Sequence, residues 1–225
     1  MGVTLPGVLR VCGIISIQMA REYNGFLILP ANHATCDDLQ RIFGTRGTGH
    51  VCQCQRYKLR PGESFRSLPV GERELRLREQ TDCGYPESET TSGLVAYLDG
   101  EPVGWCAVEP RPEFSGLLRF FRVPWEGRSE ERTDPSVWAV TCFFTRAGFR
   151  KRGVSRAMSQ AAVDFARARG ARGLEGYPIT TKSVIPEELH VGTQATFLTA
   201  GFAEVSRPTK RRTVMRIDFS TGEPT

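Results

Sequence analysis

Residues 137–155 carry the pattern with the most chemical content. Val137-Trp-Ala-Val-Thr-Cys-Phe-Phe-Thr145 has no charge and is rich in β-branched and aromatic types, which suits a strand buried on both faces. Arg146-Ala-Gly-Phe-Arg-Lys-Arg-Gly-Val-Ser155 follows, and then an alanine-rich helix to Arg169. At a strand-loop-helix junction the first helical N–H groups lack intrahelical partners and point outward with the positive end of the dipole. Gly153 lets backbone approach a ligand closely, and Ser155 adds a small hydroxyl. Arg150, Lys151, Arg152 and Arg156 surround the junction with positive charge. This is the chemistry of a phosphate or pyrophosphate cradle. It is neither a Walker loop nor a G-x-G-x-x-G dinucleotide fingerprint, since both patterns are absent from the sequence.

The elements that must position this junction follow from local signals. Phe26–Pro30 reads as a first strand, and Thr35 caps a short helix that ends at Gly44. Residues 44–70 show no clean period, and the charged run from Glu72 to Gln80 suits a solvated helix. Leu94–Leu98 and Val103–Val108 flank Asp99-Gly100, the signature of a type I′ hairpin. Residues 110–136 are polar and proline-rich and read as a long loop, with one helical turn near Leu117–Phe121. After the central strand, apolar residues at 154, 157, 158, 161 and 165 form a core-facing stripe, closed by Gly170. Leu174–Pro178 then reads as a strand, Gln194–Ala200 as a short helix, and Phe202–Val205 and Thr213–Phe219 as closing strands.

With these elements in order, Arg150-Lys-Arg-Gly153-Val-Ser155 resembles the R/Q-x-x-G-x-G/A signature of the GNAT superfamily of acyl-CoA-dependent N-acetyltransferases. The downstream Ala200-Gly201-Phe202 is similar as well, and the likeness runs over about residues 22–219. It implies an α+β fold with a central, splayed, mostly antiparallel sheet flanked by helices. It also implies acetyl-CoA as co-substrate, held by Phe143, Phe144, Thr145, Arg150, Lys151, Arg152, Gly153, Val154, Ser155 and Phe197. Backbone of residues 143–145 would pair with the pantetheine arm, and one amide would polarise the thioester carbonyl. The expected enzyme is an acyltransferase that moves acetyl to a primary amine of a small molecule or protein in a ternary complex. Ser155 stands where the signature has Gly or Ala, a small change. Phe197 stands where many members carry a tyrosine that protonates the leaving thiolate, and phenylalanine has no proton to give.

Candidates for the missing acid and base come from the residues. Tyr177 is either a substitute acid or a packed aromatic at a strand end. Glu175 lies among apolar neighbours, where burial is expected to raise its pKa and suit it to base catalysis. Glu109 and His190 are further candidates for the base. For a cationic acceptor, Glu126, Glu130, Glu131 and Asp134 of the long loop could form an acidic pocket. Phe197 also motivates the alternative of an acyl-CoA-binding sensor without efficient transfer.

Composition bounds the remaining classes. The chain has 225 residues, 40% hydrophobic and 24% charged, with Gly 23 and Pro 14. That is a globular mixture with many turns, not a disordered chain or a helical bundle. The formal charge is +5, but it is uneven: residues 146–172 hold eight Arg or Lys against Asp164, and 207–216 hold five against none. The second cluster reads as a solvated face or as a site for an acidic partner. Its lack of interleaved aromatics argues against single-stranded nucleic acid. No apolar span is long enough to cross a membrane. The seven cysteines, at 12, 36, 52, 54, 83, 106 and 142, form no disulfide framework, so reduced thiols and a cytoplasmic location are expected. His50-Val-Cys52-Gln-Cys54 lacks the spacing of a zinc site, and no metal is expected. The organisation expected is an extension over 1–21, weakly like a signal peptide, one domain over 22–219, and a tail over 220–225. A homodimer is left open.

Overall fold

The computed structural model describes residues 20–120, 125, 127–180 and 186–219. The signal-like pattern, Glu126, Phe121 and the tail lie outside the described residues. Among the described residues eight strands form one sheet: β1 (Arg21–Tyr23), β2 (Phe26–Pro30), β3 (Leu94–Leu98), β4 (Glu101–Pro110), β5 (Val137–Thr145), β6 (Gly173–Gly176), β7 (Ala203–Thr209) and β8 (Arg212–Asp218). The order is β1-β2-β3-β4-β5-β6-β8-β7, and only β5 and β6 run parallel. This is the mostly antiparallel α+β sheet expected from the sequence. The Asp99-Gly100 turn has φ of 51° and 78°, the left-handed pair that a type I′ hairpin requires.

Among the described residues six α-helices flank the sheet: α1 (Cys36–Phe43), α2 (Gly47–Cys52), α3 (Val70–Thr81), α4 (Ser115–Phe120), α5 (Val154–Ala168) and α6 (Gln194–Thr199). The Thr35 hydroxyl accepts from the Asp38 amide at 3.0 Å and so starts α1. Helix α5 lays its alanine-rich stripe on one face of the sheet, where Ala157, Met158, Ala162 and Ala166 join Val103, Val140 and Phe197 in one core. Close approach depends on Gly104 of β4, where a Cβ would stand 2.5 Å from Val154 Cγ1. On the other face, Leu39, Ile42 and Phe43 of α1 pack with Trp105, Phe114 and Trp125.

Two sequence expectations are corrected here. Cys36 is not a free thiol: it is bonded to Cys83, with Cα atoms 5.1 Å apart, and ties α1 to the end of α3. Cys52, Cys54, Cys106 and Cys142 are free. The 110–136 stretch is no simple surface loop, because Arg111, Phe114, Leu117 and Trp125 are all buried. Among the described residues no helix is long and apolar enough to cross a membrane.

Candidate functional site

Strand β5 decides the site. It pairs with β6 only over Val137–Val140, against Gly173–Gly176. Beyond Gly176 the chain turns its pairing elsewhere: Ile179 bridges Thr193 and Arg212. On the other side β5 continues along β4 to Thr145, but the register skips Thr141, since Val108 faces Val140 while Ala107 faces Cys142. An extra residue of this kind bends a strand. The bulge and the parting of β5 from β6 therefore fall at the same level. From 141 to 145 β5 is an edge, and alternate peptide groups point away from β4 into the gap.

The gap is a cleft of about 640 Å³. Its floor is Cys142, Phe143, Phe144 and Thr145, and one end is closed by Arg150, Lys151 and Ser155. Gly192, Thr193 and Thr196 form one wall; Phe43 and α2 form the roof. Gly49 of α2 lies so close to Phe144 that a Cβ there would stand 2.9 Å from Cε1 and 2.8 Å from the Phe43 carbonyl. Phe43 and Phe144 stack with centroids 5.4 Å apart.

At the loop end, Gly153 has φ of 91° and Lys151 of 62°, so the chain curls into α5 through left-handed residues. The first amide there to find a carbonyl is that of Arg156, on Gly153 O at 3.0 Å. Amides from Lys151 to Ser155 have no partner among the described residues. A Cβ built on Gly153 meets nothing within 4 Å, so its surroundings are open. Unpartnered donors, a helix N-terminus and two cleft-lining cations together fit a pyrophosphate, and the free edge of β5 fits an amide-bearing arm.

The expected site residues divide. Phe143, Phe144, Thr145, Arg150, Lys151 and Ser155 line the cleft. Arg152 and Gly153 belong to its loop without lining it, Val154 is packed in the core, and Arg152 stacks on Phe149 at 5.4 Å. Phe197 is fully buried beneath the cleft, between Phe143 and Phe202.

The expected base and acid lie elsewhere. Glu175 is fully buried, and Arg216 donates to its Oε1 at 2.8 Å. Arg111 donates to its Oε2 at 3.4 Å, Arg128 pairs with both oxygens, and the Tyr177 hydroxyl donates to Oε2 at 2.8 Å. The expectation that burial lifts its pKa is overturned: burial does act upward, but these donors and charges outweigh it and hold the carboxyl below its usual value. Tyr177 is buried and pushed well above a phenol's ordinary range by burial and by the Glu175 charge. Neither residue lines the cleft. Glu109 is buried too, accepting from Ser92 Oγ at 2.6 Å and paired with Lys58; burial pushes it up. Of the base candidates only His190 lines the cleft, with its ring centroid 6.0 Å from that of Tyr57.

The acidic pocket is also corrected. Glu130 is bound by Arg111, Arg128, Arg172 and Arg216, and Asp134 by Arg172. Glu131 accepts from Thr133, and none of the three lines the cleft. The basic 207–216 cluster is likewise divided: Arg216 joins the Glu175 network, Arg207 pairs with Glu204 and Arg211 with Glu188.

Sequence reasoning missed the thiols. Cys52, Cys54 and Cys142 line the cleft. Hydrogen bonding from the Cys142 thiol holds Cys54 below the ordinary thiol value, against the opposing effect of burial, while Cys142 is pushed well above it. Among the described residues no cluster of three or more His, Cys, Asp or Glu is arranged to hold a metal.

A family profile described as the acetyltransferase (GNAT) family matches residues 60–178. The chain belongs to the GNAT acetyltransferase family. Solved structures agree at the level of fold. One is yncA from Salmonella typhimurium with its cofactor acetyl-CoA: 13% identity, 89% of this chain and 98% of that one covered, TM-score 0.51. An N-acetyltransferase from Staphylococcus aureus Mu50 gives 11% identity, 86% and 98% coverage, and TM-score 0.50. Another acetyltransferase structure gives 18% identity, 85% and 98% coverage, and TM-score 0.51. A search of curated proteins returned no match to this sequence.

Proposed function

We propose that this GNAT protein is an acetyl-CoA-dependent N-acetyltransferase that acts on a primary amine by direct transfer in a ternary complex. The observation that carries the reading is the parting of β5 from β6 beside an unpartnered amide loop, which yields one continuous cleft. Acetyl-CoA supplies the thioester, and the chain supplies the positions. The amides from Lys151 to Ser155, with Arg150 and Lys151, take the pyrophosphate. The free edge of Phe143–Thr145 pairs with the pantetheine arm, and an N–H of that edge meets the acetyl oxygen. His190 takes the proton of the acceptor amine, directly or through water. Glu175 and Tyr177 anchor the long loop to the sheet instead of moving protons.

A second reading, a GNAT-fold module that binds acyl-CoA without efficient transfer, has one observation in its favour. Phe197 is buried and the Tyr177 hydroxyl is engaged with Glu175, so neither delivers a proton to a leaving sulfur. Thermal-shift titration with acetyl-CoA tests both readings, since a ligand that binds only the folded state raises its stability. No stabilisation would sink both. Thiol release with a panel of amines then separates them, because the module releases no more thiol with an amine than without one.

A further inference from the structure

Charge along the cleft is one-sided. Among its described lining residues there is no Asp or Glu, while Arg56, Arg150 and Lys151 contribute cations. Arg150 and Lys151 belong to the loop beyond Thr145. Arg56 stands at the opposite end, two residues after Cys54, which meets Cys142. From Cys142 to Thr145 a strand climbs about 10 Å, at roughly 3.3 Å per residue. Two cationic poles therefore bracket the cleft, and only one is accounted for by a pyrophosphate.

Among the described residues no carboxylate neutralises the Arg56 pole. Arg56 is an exposed residue, and its guanidinium lies 4.7 Å from the centroid of Phe65. A second guanidinium, that of Arg73, lies 3.9 Å from the same ring. Arg73 is 4% exposed and, among the described residues, donates to the carbonyls of Val51 and Phe65 and leaves its Nε without a partner. Among the described residues no carboxylate pairs with Arg56 or Arg73. Phe65 and Val51 line the cleft there beside Arg56 and supply apolar surface. A cationic acceptor would meet like charge and find no acid to hold it.

We infer that the acceptor is a compact amine that carries its own acid group, bound with the acid on Arg56 and its apolar part against Phe65 and Val51. The inference rests on the proposed acetyl-CoA site and adds the substrate class. A guanidinium fork fits a carboxylate or a phosphate. The same field lowers the pKa of the incoming ammonium, so more of the amine is free to attack.

Matched pairs that differ only in the acid test this: phenylalanine against phenylethylamine, and phosphoethanolamine against ethanolamine. Each is titrated by calorimetry into the acetyl-CoA-loaded protein and into the unliganded protein. The acid member of at least one pair should bind about tenfold more tightly, as expected for a charge-assisted bond at an exposed site, and the pair concerned identifies the anion. Arg56→Gln should erase that gap with acetyl-CoA affinity unchanged, Arg56→Lys should keep part of it, and added salt should narrow it. Equal binding within both pairs, a preference for the plain amines, or no binding of either acid at millimolar concentration overturns the inference. So does an Arg56→Gln variant that loosens acetyl-CoA. Failure of acetyl-CoA itself to bind is read separately and removes the functional proposal on which the inference rests.

Discussion

The ring of Phe197 occupies the space above Gly176. A Cβ on that glycine would stand 2.9 Å from Phe197 Cδ1 and closer still to Cε1 and Cζ. Gly192 makes a similar fit on another part of the ring, with Cε2 3.0 Å from where its Cβ would be. Phe143 and Phe202 complete the enclosure, with centroids 5.7 and 5.0 Å away. The last residue of β6 is thus a glycine because a phenylalanine lies on it. Phe197→Tyr, which restores the residue many family members carry, should therefore give no gain in turnover. Its hydroxyl would be buried without a partner, at a loss of about 1–3 kcal/mol. For a domain of this size that is a fall in Tm of several degrees. A faster, equally stable Phe197→Tyr enzyme would contradict the placement of this ring.

Gly49→Ala should act on the cleft roof. Its methyl would meet the Phe144 ring and the Phe43 carbonyl 2.8 Å away, so Phe144 must tilt into the acetyl-CoA path or α2 must lift. Overpacking of this kind costs about 1–3 kcal/mol. The KM for acetyl-CoA should rise by about tenfold if the ring tilts into the path, on the scale of 1.4 kcal/mol per decade. Saturation kinetics in acetyl-CoA check it, with circular dichroism to score folding.

Cys54 should be the thiol of the Cys54–Cys142 pair that reacts. Its pKa is held down by Cys142, while Cys142 and the fully buried Cys106 are pushed up. Reaction with iodoacetamide follows thiolate content and access. Peptide mapping after brief alkylation should find Cys54 modified ahead of Cys142 and Cys106, and acetyl-CoA should slow it. Preferential labelling of Cys106 would contradict the geometry.

What the sequence reveals depends on how far apart the partners lie along the chain. The Asp99-Gly100 turn, the Thr35 cap and the α5 stripe are local, so their spacing alone identifies them. Strand β1 is three polar-leaning residues, Arg-Glu-Tyr, with no strand pattern of its own; Tyr23 fixes it by donating to Asp164 at 2.8 Å. The Cys36–Cys83 bond spans 47 residues. The Glu175 network draws arginines from positions 111, 128 and 216, so a carboxylate in an apolar strand looked like a candidate base. The bulge at Thr141 follows from strand register, to which no single residue points. For the candidate site, the loop and floor of the cleft were legible, but the thiols and Arg56 were not.

The arginine network makes a prediction about acid. Glu130 is held down to about 2 by its arginines, Asp134 to about 2 by the Ser136 hydrogen bond first and Arg172 second, and Glu175 is also lowered from its ordinary 4.5. For Glu130 and Glu175 burial pushes upward, and the surrounding guanidiniums win. A carboxylate with a depressed folded pKa adds stability that is present above its unfolded value and lost as pH falls through the folded one. Stability should therefore decline between about pH 4.5 and 2. Glu130→Gln should flatten that slope in an acid titration followed by circular dichroism. Glu175→Gln should be harsher at neutral pH, by about 1.5–3 kcal/mol, because buried Arg111 and Arg216 lose their fully buried anion and keep only Glu130 and, for Arg216, Asp218.

Gly153 separates two effects that a single variant would confuse. Its φ of 91° makes any side chain there strained, by roughly 1–2 kcal/mol, even though a Cβ would meet no atom within 4 Å. Gly153→Ala should thus lower Tm modestly and weaken acetyl-CoA only slightly. Gly153→Glu carries the same backbone strain but adds an anion beside the unpartnered amides of residues 151–155. Its loss of acetyl-CoA affinity should exceed that of Gly153→Ala by more than tenfold, at a similar Tm. Isothermal titration of both variants, with Tm measured on the same samples, checks the difference. Equal affinities would mean that the phosphates bind elsewhere, and with them the proposed direction of the pantetheine arm along β5 would fall.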